Sequence, residues 1–565
     1  MKIVASGKNG NNGNNKNVQV MPLGGLGEIG KNMTAVRQDS GMILVDAGMS
    51  FPDEEMPGID LVLPDFSYIR EHSQEFKGIV VTHGHEDHVG AIPYLLREFN
   101  VPVYATKLTL GIIKSKLQEF GIKKGDLREV KGGDRMKLAG FGLEFMEVNH
   151  SIPDACAISI RTAQGTLVFS GDYKIDHTPI DGRRMDLARL AGIGSEGVLA
   201  YFGDSTNSER PGHTPSEQNV ASTLDRLIAE AEGRVIVASF ASHLHRISQV
   251  VEAAKRHGRL VGIAGRSMVR NVGIARELGY IDLPSSLMVE GREISNVPDS
   301  DIVVMMTGSQ GEPLAALSRV ANGAHKTIEA GEGDTVIIAA HPIPGNETGV
   351  SRTINNLMKR GANVHYSPLE AVHVSGHASQ EEQKMMLSLL NPKYLVPVHG
   401  EYKHQYHHVQ TAKSMGIPEE NIFVLENGGC VEFYGEGQAR QLDNVAAGMF
   451  LVDGATFGDT SDSIMRERQQ LSEDGMFIVV ARINAQNGQL LGDPDVISRG
   501  FVNQQEANGL VGDSIGVVTK TLERTAKKQI TDWGDLKTEI RRDLAGFLNQ
   551  RTQKRPIILP LIVEV

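Results

Sequence analysis

The stretch Val80-Val81-Thr82-His83-Gly84-His85-Glu86-Asp87-His88-Val89-Gly90 limits what this chain can become more than any other, because three histidines and an aspartate crowd into six residues. The apolar run Gly78-Ile79-Val80-Val81 before it reads as a buried strand, and residues 89–99 after it as a helix. The cluster therefore falls at the carboxyl end of a strand. His83 and His85, two residues apart, can point one way and grip one ion, while Asp87 and His88 reach a second. Imidazole together with carboxylate suits Zn²⁺. A solvated turn has no need of so dense a cluster, and the rest of the chain is expected to supply the missing ligands.

At 565 residues the chain is too long for one core, and roughly two to four domains are expected. The formal net charge of −12 argues against a wholesale electrostatic grip on nucleic acid, although it leaves room for a local one. Cys156 and Cys430 are the only cysteines, so no disulfide framework is implied and a cytoplasmic location is expected. No apolar run approaches membrane-spanning length, and no membrane partner is expected. Residues 1–17, rich in Asn and Gly, lack the apolar segment of a signal peptide and read as a disordered tail.

Folding is expected to begin with Val18-Gln19-Val20-Met21-Pro22-Leu23, which runs into a glycine-rich stretch at 24–32. A dinucleotide-binding loop would continue into a helix. Here Met33-Thr34-Ala35-Val36-Arg37 alternates like another strand, which predicts a hairpin. The next strand ends at Asp46, read as a carboxylate that orients a ligand histidine. Three further strands end in His150, Asp172 and His399. A lone strand-end histidine is usually a hydrogen-bonded structural residue. Four such ends beside the opening cluster point instead to a metal centre, in which the two oxygens of Asp172 can bridge two ions, as in two-metal hydrolases. His404, His407 and His408, at helical spacing after His399, read as a solvated helix face.

With these residues assembled, His83, His85, Asp87, His88, His150, Asp172 and His399 resemble the metal motifs of the metallo-β-lactamase superfamily. More narrowly, the chain is similar to the bacterial ribonuclease J family of the β-CASP group. The stretches that carry the likeness include residues 22–32, 148–154, 237–243 and 304–313. To these are added Gly203-Asp204-Ser205-Thr206-Asn207, Val372-His373-Val374-Ser375-Gly376-His377-Ala378 and Pro397-Val398-His399-Gly400-Glu401. The resemblance implies an α/β fold, a metallo-β-lactamase αββα sandwich over 18–207 and 350–435 interrupted by a β-CASP α/β domain at 208–349. A linker at 436–452 and a small C-terminal α/β assembly domain at 453–565 follow. Periodicity agrees, since β/α units recur through the insert and two polar-apolar helices, at 510–528 and 535–551, precede a closing strand.

The same resemblance implies roles. His83, His85 and His150 would hold one Zn²⁺ and Asp87, His88 and His399 the other, with Asp172 and a hydroxide between them; Mn²⁺ or Mg²⁺ can stand in for zinc. Asp87 is thus expected to be essential for catalysis as well as a ligand. His377 is the expected general acid for the departing 3′ oxygen, with Asp204 holding its tautomer. His373, Val374, Ser375, Gly376 and His377 resemble a phosphate-binding segment, and Ser242 and His243 are expected to face the same phosphate. A structural Ca²⁺ or Mg²⁺ is expected near Gly58, Asp60 and Asp453.

The implied activity is zinc-dependent cleavage of single-stranded RNA in maturation and decay, both internally and from the 5′ end, leaving 5′-phosphate and 3′-hydroxyl ends. A closed terminal pocket would favour a 5′-monophosphate, because a triphosphate adds charge that is costly to desolvate. A homodimer or homotetramer formed through the C-terminal domain, within an RNA degradation complex, is also implied. Two other readings stand beside this one. A hydrolase of a small ester or thioester is opposed by the insert between Asp172 and His399, and a non-catalytic RNA-binding scaffold by the full ligand set.

Overall fold

Apolar strands buried along most of their length build two facing sheets in the computed structural model. It describes residues 17–565 apart from 54, 124, 313–314, 344–345, 455, 459–461 and 502–503. The tail expected over 1–17 lies outside the described residues except for Asn17. The first sheet has eight strands in the order Gln438–Leu442, Cys430–Tyr434, Val18–Gly24, Met33–Gln38, Gly41–Val45, Phe76–Val80, Val103–Ala105, Leu127–Glu129. The second has six, in the order Tyr394–Val398, Val198–Asp204, Thr166–Phe169, Cys156–Arg161, Phe141–Glu147, Arg135–Leu138. Val18, Val20, Ile43 and Val45 from one sheet meet Phe145, Ile158, Phe169 and Phe202 from the other in a continuous core. On the outer face of the second sheet, Val168, Tyr201 and Leu395 pack against Leu190, Ile193, Met386 and Leu390 of the helices Leu187–Glu196 and Gln380–Leu390. The residues between those of the core strips, such as Met21, Leu44 and Ile79, are also buried, so the first sheet is covered on both faces. This is the expected αββα sandwich.

Val18–Gly24 and Met33–Gln38 pair antiparallel, the hairpin predicted in place of a dinucleotide loop. The expected helix over 89–99 is broken into Glu86–Val89 and Ile92–Glu98. Gly48 explains how the first of these comes so close to the sheet. A Cβ at that position would lie 1.6 Å from the Asp87 carbonyl oxygen.

The insert is a six-stranded, wholly parallel sheet, ordered Met288–Glu290, Leu260–Ala264, Ile302–Met306, Val235–Ala238, Thr335–Ile338, Asn363–Tyr366. Parallel strands buried on both faces read as unbroken apolar runs, and Ile302–Met306 is buried at every position. The sheet continues past the boundary expected at 349, because helix Glu347–Lys359 packs on it and Asn363–Tyr366 pairs with Thr335–Ile338.

The chain divides into two compact units, the second made of Phe51–Val62 and Phe450–Val565. The linker expected at 436–452 is therefore misplaced. Gln438–Leu442 is a strand paired with Cys430–Tyr434 inside the first unit. In the second unit the sheet Asp495–Arg499, Met476–Ile483, Ile557–Glu564 carries helices Gln504–Lys527 and Trp533–Thr552 on one face. Leu536, Ile540, Leu544 and Leu548, four apart, meet Phe477, Val479 and Ala481, two apart. A guanidinium stands where a structural cation is expected near Gly58, Asp60 and Asp453. Arg468 pairs with the Asp453 carboxylate, and its Nη1 lies 3.5 Å from the Pro57 carbonyl and 3.1 Å from where a Gly58 Cβ would be. The Asp60 carboxylate accepts from the Gly454 N–H at 2.9 Å. Among the described residues, no helix is long and apolar enough to cross a membrane.

Candidate metal centre

Four strand ends deliver seven polar side chains to one edge of the sandwich. His83, His85, Asp87 and His88 follow Phe76–Val80, while His150 follows Phe141–Glu147, Asp172 follows Thr166–Phe169 and His399 follows Tyr394–Val398. They fall into two sets that share a carboxylate: His83, His85, His150 and Asp172, and Asp87, His88, His399 and Asp172. His85 Nδ1 lies 3.0 Å from His83 Nε2 and 3.1 Å from His150 Nε2. Asp87 Oδ2 lies 3.3 Å from His399 Nε2 and 3.6 Å from His88 Nε2. A single oxygen, Asp172 Oδ2, stands 3.6 and 3.7 Å from Nε2 of His83 and His150, and 3.2 and 3.5 Å from Nε2 of His88 and His399.

Hydrogen bonds on the outer nitrogens decide what the inner ones offer. His88 Nδ1–H donates to Asp46 Oδ2 at 2.8 Å, and His150 Nδ1–H donates to the Gly376 carbonyl at 2.8 Å. The Thr82 hydroxyl donates to Asp46 Oδ2 at 2.8 Å, which makes it the acceptor for His83 Nδ1–H at 3.1 Å. Likewise the Thr206 hydroxyl donates to Asp204 Oδ1 at 2.7 Å and accepts from His399 Nδ1–H at 2.7 Å. Each of the four rings thereby commits Nδ1 to a protein acceptor and turns Nε2 toward the cluster. Oriented imidazole lone pairs beside buried carboxylates are the donor set of a divalent cation, and the residues fit it.

Electrostatics divide the two halves. Burial, then neighbouring histidines, push His83 and His150 well below the usual imidazole range, and burial takes His85 down to about 4. These are neutral imidazoles. In the other half burial opposes charge, yet Asp172, Asp87 and Asp46 lift His88 well above that range, and Asp172 with Asp87 and Asp204 brings His399 up to about 9. Asp87 and Asp172 stay ionised against the same burial. That half draws positive charge. Asp46 and His399 also hold left-handed backbone, with φ of 60° and 55°, a conformation that costs non-glycine residues about 1–3 kcal/mol and concentrates at functional sites.

Above the cluster sits His377, its ring centroid 5.1 Å from that of His150 and 5.4 Å from that of His399. Its Nδ1–H donates to Asp204 Oδ2 at 2.8 Å. Burial lowers its basicity, but Asp204 and then Asp172 more than restore it, so the net shift is upward. The segment below it is pinned from several sides. Asn207 Nδ2 donates to Ser375 Oγ at 2.8 Å and to the His377 carbonyl at 2.9 Å, the Thr214 hydroxyl reaches the same carbonyl at 2.7 Å, and buried Arg246 holds the Val372 carbonyl. Ser375 Oγ also accepts from His377 N–H at 3.2 Å. Both contacts use the serine oxygen as acceptor, so its hydrogen is left to donate to an anion.

Expected phosphate contacts are distributed unevenly. Val374 is buried and His373 partly buried, and the His373 ring stands edge-on to His243 and His341, at centroid distances of 6.1 and 4.8 Å. His243 is buried and bonded through Nε2 to Glu217 at 3.2 Å, and burial takes it down to about 4, so its polar nitrogen is committed to a protein carboxylate. Ser242 is partly buried just before it. The solvated face expected of His404, His407 and His408 is overturned for two of the three. His404 Nδ1 accepts from the Glu401 N–H at 3.1 Å, capping helix Tyr402–Ser414, while His408, four residues on and on the same inward face, reaches Ser205 Oγ at 3.0 Å. His407 is partly exposed, its Nε2 3.9 Å from Glu209 Oε1. Sequence reasoning assigned no role to Thr82, Thr206, Asn207 or Thr214, although Thr206 and Asn207 lie in a motif already singled out.

The chain matches four family descriptions. Residues 26–238 match the metallo-beta-lactamase superfamily, 232–357 the ribonuclease J beta-CASP domain, 361–425 the Zn-dependent metallo-hydrolase RNA specificity domain and 463–565 the ribonuclease J C-terminal domain. Ribonuclease J2 of Bacillus subtilis is 42% identical over 547 residues, covering 97% of this chain and 98% of its own length. Ribonuclease J of Thermus thermophilus is 41% identical, covering 96% and 95%. In fold alone, a protein of unknown function from Enterococcus faecalis is similar over 75% of this chain, with a TM-score of 0.51 at 16% identity.

Proposed function

The chain belongs to the ribonuclease J family and is a metal-dependent ribonuclease that binds RNA, and from the site just described we propose a two-zinc enzyme that cuts RNA internally and also degrades it from the 5′ end. The observation that supports this most is the convergence of two ligand sets on Asp172 directly beneath the His377–Asp204 pair. His83, His85 and His150 would hold one ion, and Asp87, His88 and His399 the other. When bound, the cations supply Lewis acidity that activates water near neutral pH and offsets the charge of the scissile phosphate.

The chain's own groups do the rest. Asp204 accepts from His377 Nδ1–H and favours the imidazolium, whose Nε2 carries the proton that can be given up. As hydroxide, formed once the activated water has given a proton to solvent, joins phosphorus and the bond from phosphorus to the 3′ oxygen breaks, His377 passes its Nε2 proton to the departing oxygen. The products are a 5′-phosphate and a 3′-hydroxyl. Ser375, with its free hydroxyl hydrogen, and the backbone at Gly376 anchor a phosphate one nucleotide away. His373, Val374 and Ser242 shape that pocket, whereas His243 supports it from behind through Glu217.

Such a pocket fits a 5′-monophosphate and penalises a triphosphate. Assembly into a dimer or tetramer would use the second unit, whose strand Ile557–Glu564 turns Leu559, Leu561 and Val563 outward, 38, 51 and 45% exposed. A sheet apolar on both faces is suited to being covered, and membership of an RNA degradation complex is part of the same reading. The test uses matched RNAs carrying a 5′-monophosphate, triphosphate or hydroxyl, with mononucleotides and internal fragments followed separately. Mononucleotide release should be fastest from the monophosphate, and internal cutting should vary little. Equal mononucleotide release from the triphosphate, without prior cutting or pyrophosphate loss, would refute the terminal pocket.

A further inference from the structure

Two threonines in this site stand in the same relation to two aspartates. Thr82 donates its backbone N–H and its hydroxyl to Asp46, at 2.7 and 2.8 Å, and accepts from His83, while Asp46 also receives His88 at 2.8 Å. Thr206 donates its backbone N–H and its hydroxyl to Asp204 Oδ1, at 2.9 and 2.7 Å, and accepts from His399, while Asp204 Oδ2 receives His377 at 2.8 Å. Each threonine–aspartate clamp therefore orients two imidazoles, one through the hydroxyl and one through the carboxylate. The clamps differ in what they join. Asp46 and Thr82 tie together two ligand histidines, one from each set. Asp204 and Thr206 tie a ligand histidine to one that is not a ligand.

We propose that Thr206 is the positioning residue that couples the metal centre to the proton donor, its single hydroxyl fixing the His399 tautomer while holding Asp204 against His377. The proposal rests on the reading of Asp87, His88 and His399 as a cation site. A hydroxyl has one hydrogen, and an ionised carboxylate can only accept. With Asp204 at 2.7 Å taking that hydrogen, the threonine oxygen can face His399 only as an acceptor. This leaves Nε2 of His399 free for a cation. Reversing the hydroxyl would set two acceptors 2.7 Å apart and turn the His399 N–H toward the cluster, where it blocks a ligand position. No other side chain described here touches both His399 and Asp204 in this way, and the Thr206 backbone N–H alone holds the carboxylate without reaching the ring.

Thr206→Val keeps the shape and removes the hydroxyl, Thr206→Ala removes it without a branched side chain, and Thr206→Ser keeps it. The full chain of each is titrated with Zn²⁺ against a chromophoric chelator, and RNA cleavage is followed at saturating metal. The expected result for Val and Ala is one ion bound as tightly as in the wild type and a second bound about 10- to 100-fold more weakly, the usual cost of losing an outer partner of a ligand. Their kcat should stay low at saturating metal with KM little changed, and Thr206→Ser should restore both affinity and kcat. Wild-type affinities for both ions in Val and Ala, or a serine variant as impaired as valine, would overturn the proposal while leaving the metal assignment standing. A wild type that binds a single ion would overturn both.

Discussion

The division of labour among histidines is decided at the level of single hydrogen bonds. His377 carries no ligand role in the account above, so His377→Ala should slow cleavage by roughly 10²- to 10⁴-fold, the range for losing a general acid or base, while both ions stay bound. Parallel assays of cleavage and metal content check it. Loss of an ion would make His377 a ligand, and unchanged turnover would make it structural. Glu217 is legible only in three dimensions. Burial works against its charge, yet Arg246, His243 and Lys174 hold its carboxyl well below the ordinary 4.5. A depressed carboxylate stabilises the fold above its unfolded pKa, and that contribution drains away as pH falls below about 4.5. Glu217→Gln should therefore lose about 3–5 kcal/mol at neutral pH, the cost of breaking a buried pair, and its stability should fall less steeply with acid than the wild type's. Urea midpoints between pH 7 and pH 3 measure both effects.

Among the elements, what the chain announces is what depends on period and spacing. His83, His85, Asp87 and His88 are adjacent in sequence, and the strands that end in His150, Asp172 and His399 are apolar runs. Two histidines of helix Tyr402–Ser414 depart from the expected solvated face, which rests on a polar residue of a helix usually facing water. His404 and His408 instead spend their nitrogens on Glu401 and Ser205, partners that no local pattern reveals. Thr206 escaped for the same reason, since its role exists only once His399, almost two hundred residues later, stands beside it. Gly376 shows how tightly the two stretches meet. A Cβ there would lie 2.6 Å from both Cε1 and Nδ1 of His150. Gly376→Ala should displace that ring and weaken the ion held with His83 and His85, leaving the other ion in place. Zinc titration of the variant distinguishes this from a general loss of stability, in which both sites would weaken together.

For the molecule as a whole, the order of parts followed from resemblance and periodicity, and the boundaries did not. The insert's sheet closes only with Asn363–Tyr366, and the strand Gln438–Leu442 returns to the first sheet where a linker was expected. In both cases the deciding force is pairing with a distant strand. Beside Asp453, where a cation was expected, Arg468 arrives from elsewhere in the second unit with its own positive charge. Through all of this the account turns on one claim, that seven side chains gathered from distant strands hold two cations sharing Asp172. The most direct test is to strip the purified chain of metal and restore Zn²⁺ stepwise, measuring ions bound per chain and RNA cleavage in the same samples. The account predicts saturation at two ions per chain, with cleavage appearing only as the second is filled. Full cleavage from a chain that never holds more than one ion would contradict it.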